Sequence, residues 1–101
     1  MAKLVFIKDK IGDTLEIDKE VAESFNSTAM APALVNGIAT FVIGVVNCYP
    51  DKVETAVEKL VEQMYEQSHV EVGIDASTVL VAGTKGKTIT VSVYSIKPEI
   101  R

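Results

Sequence analysis

Ile38-Ala39-Thr40-Phe41-Val42-Ile43-Gly44-Val45-Val46 is the stretch on which the fold turns. Six of these nine residues are β-branched. Such side chains are stiff at χ1 and suit a pleated surface. A continuous apolar run of this length is what a strand buried on both faces looks like. The rival is a buried helix with Leu34, Ile38, Phe41 and Val45 on one face, and periodicity alone does not separate the two. The β-branched content favours the strand, and Asn36-Gly37 just before it reads as a stop or a turn.

Downstream, Asp51 to Gln67 is the clearest element. Val53, Ala56, Val57, Leu60, Val61 and Met64 recur at helical spacing and form one apolar stripe. Asp51 and Glu54 have the spacing of a capping box. After Ser68 and His69, Val70, Val72 and Ile74 alternate with Glu71 and Gly73, and Asp75-Ala76-Ser77 turns the chain. Thr78 to Ala82 and Lys87 to Ile96 are two more strands. On the last, Ile89, Val91 and Val93 point one way and Thr88, Thr90, Ser92 and Tyr94 the other, with Pro98 as the stop.

Upstream, Leu4-Val5-Phe6-Ile7 and Thr14-Leu15-Glu16-Ile17 flank a Gly12-Asp13 turn signal and read as a β-hairpin. Asp18 is placed to cap a helix that starts near Lys19, with Ile17 and Ala22 as a hydrophobic staple. That helix is expected to break at Asn26-Ser27 and resume towards Val35. Pro32 fits poorly inside a long helix because it lacks the backbone N–H. The predicted layout is ββ-α-β-α-βββ: an α+β fold, two helices packed on one face of a largely antiparallel sheet.

The composition suits one globular domain over residues 1–101: 48% hydrophobic, 24% charged. Ten Lys and Arg against fourteen Asp and Glu leave a net charge of −4, without the basic excess of a nucleic-acid binder. Ser24 to Pro50 is uncharged, yet its Ser, Asn, Thr, Pro and Gly residues and mixed-sign flanks argue against a membrane span. Met1-Ala2-Lys3-Leu4 does not read as a signal peptide. One cysteine suits a reducing compartment, so a cytoplasmic location is expected. One Cys and one His offer no metal-ligand cluster, and no cofactor motif is present.

Asn47, Cys48 and Tyr49 are the candidate ligand-binding residues. They lie between the expected strand and the helix from Asp51, where free N–H groups attract anions and lower a thiol pKa. The plainer role for Cys48 is a small buried hydrophobe. Glu54, Glu58, Glu62 and Glu66 form an i, i+4 ridge that suits a basic protein partner, or simply a solvated helix face. Gly83-Thr84-Lys85-Gly86-Lys87-Thr88 ends like a phosphate loop, but the glycine spacing and the following strand make it a hairpin tip. His69 is placed to favour a helix C-terminus as a cation, and nothing in the sequence pairs it with Cys48. Asn36, Gly37, Thr40, Gly44 and Asn47 would share one stripe if the middle segment were helical, permitting close approach.

These features point to a small, cytoplasmic, non-enzymatic binding module that self-associates and recognises a protein or a small ligand. No residue is assigned a catalytic role. The alternatives are an enzyme or thiol sensor at Asn47 to Asp51, and an acidic adaptor or inhibitor docking through Glu54 to Glu66.

Overall fold

A computed structural model describes residues 2–26, 31–46 and 50–101. Its described elements are β1 (Leu4–Asp18), α1 (Lys19–Asn26), α2 (Ala31–Val45), α3 (Pro50–Met64), β2 (His69–Asp75), β3 (Thr78–Lys85) and β4 (Thr88–Ile100). The strands form one sheet in the order β1-β4-β3-β2, antiparallel at every step. The helices lie on one side of it: α3 packs on β2 and β3, and α2 on α3, β1 and β4. The fold is the expected α+β arrangement, with three helices rather than two.

The Ile38–Val46 segment corrects the expected strand. Ile38 to Val45 belongs to α2, and Leu34, Ile38, Ala39 and Val42 are buried at helical spacing. Burial against α3 and the sheet outweighs the strand preference of the β-branched side chains, which is a weak and context-dependent one. Pro32 lies in the first described turn of α2, the part of a helix that best tolerates proline. Asn36-Gly37 does not stop the chain but lies inside α2, where the Thr40 hydroxyl donates to the Asn36 carbonyl at 2.8 Å.

The expected amino-terminal hairpin is one continuous strand. β1 pairs with β4 along its length, from Leu4 opposite Ile100 to Asp18 opposite Thr88. Between Ile11 and Leu15 the register shifts, four steps along β1 against two from Val93 to Val91. Gly12 sits there at φ 69°. The Gly-Asp turn signal thus produces a bulge that bends the strand without reversing it. β4 likewise runs through Pro98 to Ile100 instead of ending there.

Elsewhere the local rules hold. The Asp18 carboxylate accepts from the N–H groups of Glu20 at 2.8 Å and Val21 at 3.3 Å, capping α1. α3 buries Val53, Ala56, Val57, Leu60, Val61 and Met64, the whole stripe read from the sequence. Pro50 opens α3, so Asp51 lies within the first turn instead of before it. The Tyr65 hydroxyl donates to the Ala22 carbonyl at 2.8 Å and ties the end of α3 to α1. Val70, Val72 and Ile74 face the helices together with Leu80, Ala82, Ile89, Val91 and Val93. Among the described residues no helix is long and apolar enough to cross a membrane.

Candidate functional site

α2 and α3 pack side by side, and the seam between them opens into a groove of about 460 Å³. Ala31, Pro32 and Val35 line it from the first turns of α2, and Val61 from α3. Glu54, Glu58 and Glu62 stand along its α3 wall with Thr55 and Lys59. This follows from the helical repeat. α3 turns its apolar stripe to the core, so residues at i, i+4 and i+8 from Glu54 line up on the rim. All three carboxylates are exposed, and among the described residues none has a salt bridge. Like charges at this spacing cost a helix roughly 0.2–0.5 kcal/mol per pair. The groove therefore combines an apolar floor with a wall that carries three carboxylates and one lysine, a net negative charge.

Glu66 departs from the ridge. It lies in the turn after Met64, with its N–H bonded to the Gln63 carbonyl at 3.1 Å, beside Tyr65, Gln67 and Ser68. Asn47, Cys48 and Tyr49 lie outside the described residues. Their flanks are described: α2 runs to Val45 and α3 starts at Pro50, so the segment joins two helices. The element expected to precede them as a strand is helix α2, so the strand-to-helix setting read from the sequence does not hold.

The open face of the sheet holds a second cluster that sequence reading missed. The Lys8 ammonium reaches the Glu71 carboxylate at 2.5 Å, and His69 Nε2 lies 3.4 Å from its other oxygen. Val81 and Tyr94 complete the shallow depression around them. The hydrogen bond from Lys8, then that from His69, holds the Glu71 carboxyl below its usual pKa. His69 thus begins β2 and faces Glu71, instead of serving the end of α3 as a cation. Lys8 and Glu71 are 63 positions apart, and no local pattern links such residues. The α2 side of the groove escaped for another reason: it exists only if residues 31–45 are helical.

The phosphate-loop lookalike is a hairpin tip, with Lys85 opposite Thr88 and Gly86 at φ 62°. Among the described residues no group of three His, Cys, Asp or Glu side chains is placed to hold a metal ion. Comparison with known proteins finds no matching family model, no similar curated protein and no similar solved structure.

Proposed function

We propose that this chain is a small, non-enzymatic, self-associating interaction module that takes a basic amphipathic segment of a protein partner into the α2–α3 groove. The observation that carries the reading is the pairing of an apolar floor with three carboxylates that lack cationic partners among the described residues. A segment with apolar residues on one side and lysines on the other would bury its apolar side on Ala31, Val35 and Val61. Its cations would relieve the repulsion along Glu54, Glu58 and Glu62. The net charge of −4 favours encounter with such a partner. A cytoplasmic setting belongs to the same reading and rests on the single cysteine.

A fluorescently labelled amphipathic Lys/Leu peptide tests it by anisotropy, beside a peptide with Glu in place of Lys. The Lys/Leu peptide should bind, and its affinity should fall as salt shortens the roughly 10 Å screening length of 0.1 M solution. Glu58→Lys combined with Glu62→Lys should abolish the titration. Equal binding of the acidic peptide, or an unchanged titration with the double variant, would refute the groove.

A further inference from the structure

The self-association half of that reading needs a surface, and we infer that it is the free edge of β1 over residues 3–9, paired antiparallel about a two-fold axis with the same edge of a second copy. The inference rests on the self-association reading and is independent of the groove.

Backbone parity comes first. Lys3 and Arg101 exchange both hydrogen bonds, each N–H donating to the other's carbonyl. In an antiparallel ladder such pairs alternate with pairs that exchange none. Leu4 opposite Ile100, Phe6 opposite Pro98 and Lys8 opposite Ile96 are therefore the non-exchanging pairs. The N–H and C=O groups of Leu4, Phe6 and Lys8 consequently point away from β4, to the outer edge of the sheet. On β4 the same parity sends the Ile96 N–H towards the Ser77 carbonyl, which it reaches at 2.7 Å. Pro98, the next residue of that parity, has no N–H to offer on that side.

The sheet's other free edges carry such guards. Pro98 blunts the end of β4. β2 is short, shifts register between Gly73 and Asp75, and shows His69, Glu71 and Asp75 as exposed residues. On β1 the usual guard would be a lysine, but Lys8 is tied across the sheet to Glu71, and the exposed Lys3 has a counter-charge in Asp9 on the same edge. The beginning of β1 and the end of β4 project as a two-stranded ribbon, since β3 pairs with β4 only as far as Ser95. Two strands alone are marginal in water. This ribbon also carries large exposed apolar side chains: Leu4 at 59%, Phe6 at 65% and Ile100 at 72%.

Charge selects the second copy and the register. The outward-pointing groups must bond to each other, so even-numbered residues face even-numbered ones. With Phe6 opposite Phe6 of the second copy, Lys3 meets Asp9 and Val5 meets Ile7 at both ends of the pairing. Leu4 then meets Lys8, and about six backbone hydrogen bonds form. Moving the centre to Val5 sets Lys3 against Ile7, and moving it to Ile7 sets Asp9 against Val5. Of these three registers the Phe6-centred one alone sets opposite charges face to face, Lys3 with Asp9, while its two Leu4–Lys8 pairs match less well. The contact buries less than the roughly 800 Å² per partner of a standard interface, which suits dissociation in the micromolar range.

Sedimentation equilibrium from about 1 to 100 μM tests the pairing. The unaltered chain should approach twice its 10.9 kDa mass at the upper end. Phe6→Pro removes an outward N–H without touching a β1–β4 hydrogen bond, and should weaken the dimer at least tenfold with an unchanged circular dichroism spectrum. Lys3→Asp sets two carboxylates face to face and should weaken it likewise. Adding Asp9→Lys to that variant should restore it, an outcome that keeps the test sharp if the proline variant misfolds. A chain monomeric at 100 μM overturns both the inference and the self-association reading. A dimer indifferent to Phe6→Pro and Lys3→Asp leaves self-association standing and overturns the β1 edge.

Discussion

Gly12 and Gly86 hold the two positive φ angles recorded among the described glycines, 69° and 62°. A side chain in this region costs on the order of 1–2 kcal/mol at either position. The surroundings differ. A Cβ on Gly86 meets no heavy atom within 4 Å, whereas one on Gly12 meets Val45 Cγ1 at 3.1 Å. Val45 is the last residue of α2, so the bulge in β1 is also where the helix end rests on the strand. Gly12→Ala should therefore lose more stability than Gly86→Ala, read as the difference in urea midpoint at equal m-value. Equal losses would show that Val45 yields at no cost and that the bulge does not fix the end of α2.

At the scale of elements, legibility followed the agreement between local preference and tertiary environment. The buried stripe of α3 could be read residue by residue because its apolar spacing and its charges favour one state, although the helix runs from Pro50 to Met64 and not from Asp51 to Gln67. The β2–β3 turn and the faces of β4 were equally plain: Ser77 N–H bonds the Asp75 carboxylate at 2.8 Å, and Val91 and Val93 are buried where the alternation put them. α2 was not plain. Its β-branched side chains favour a strand while its burial pattern requires a helix, and only the packing of α3 and the sheet decides between them. β1 misled by the reverse route, since its turn signal is genuine but yields a bulge. The site inherits both effects. Glu54, Glu58 and Glu62 were legible as a ridge, the opposing wall at Ala31 and Val35 was not, and the Lys8–Glu71 pair joins the two outer strands of the sheet across β4 and β3, which no local pattern signals. Two substitutions probe α2 directly. Gly37 and Gly44 are exposed, and a Cβ at either meets nothing within 4 Å. In a helix interior Gly is worse than Ala by roughly 0.5–1 kcal/mol. Gly37→Ala should raise the thermal midpoint, Gly44→Ala, one residue from the end of α2, should raise it by less, and the pair should add. A fall in either would mean that this face of α2 is covered in solution or that the segment is not helical.

For the whole molecule, the governing fact is that the first strand pairs with the last. β1 and β4 lie side by side over their full length, and Lys3 hydrogen-bonds Arg101. The long axis of 53 Å is about the length of one fifteen-residue strand at roughly 3.3 Å per residue. Even the nearest pair of this ladder, Asp18 opposite Thr88, closes a long loop before any contact rewards it, which slows folding. The sheet order β1-β4-β3-β2 makes the remedy explicit. If residue 101 is joined to residue 1 by a short glycine-rich turn and the chain is opened between the exposed Gln67 and Ser68, the strands follow one another as β2, β3, β4, β1. Each then pairs only with its neighbour in sequence, while α1, α2 and α3 follow in unchanged order. Lys3 and Arg101 are already backbone partners, so the new turn spans a hairpin-sized gap. This permutant should keep the parent's circular dichroism spectrum and refold about tenfold faster or more in stopped-flow experiments, with a smaller change in its unfolding rate. Refolding at the parent's rate would show that the β1–β4 closure is not the step that limits folding, and that the helical layer assembles later than the sheet.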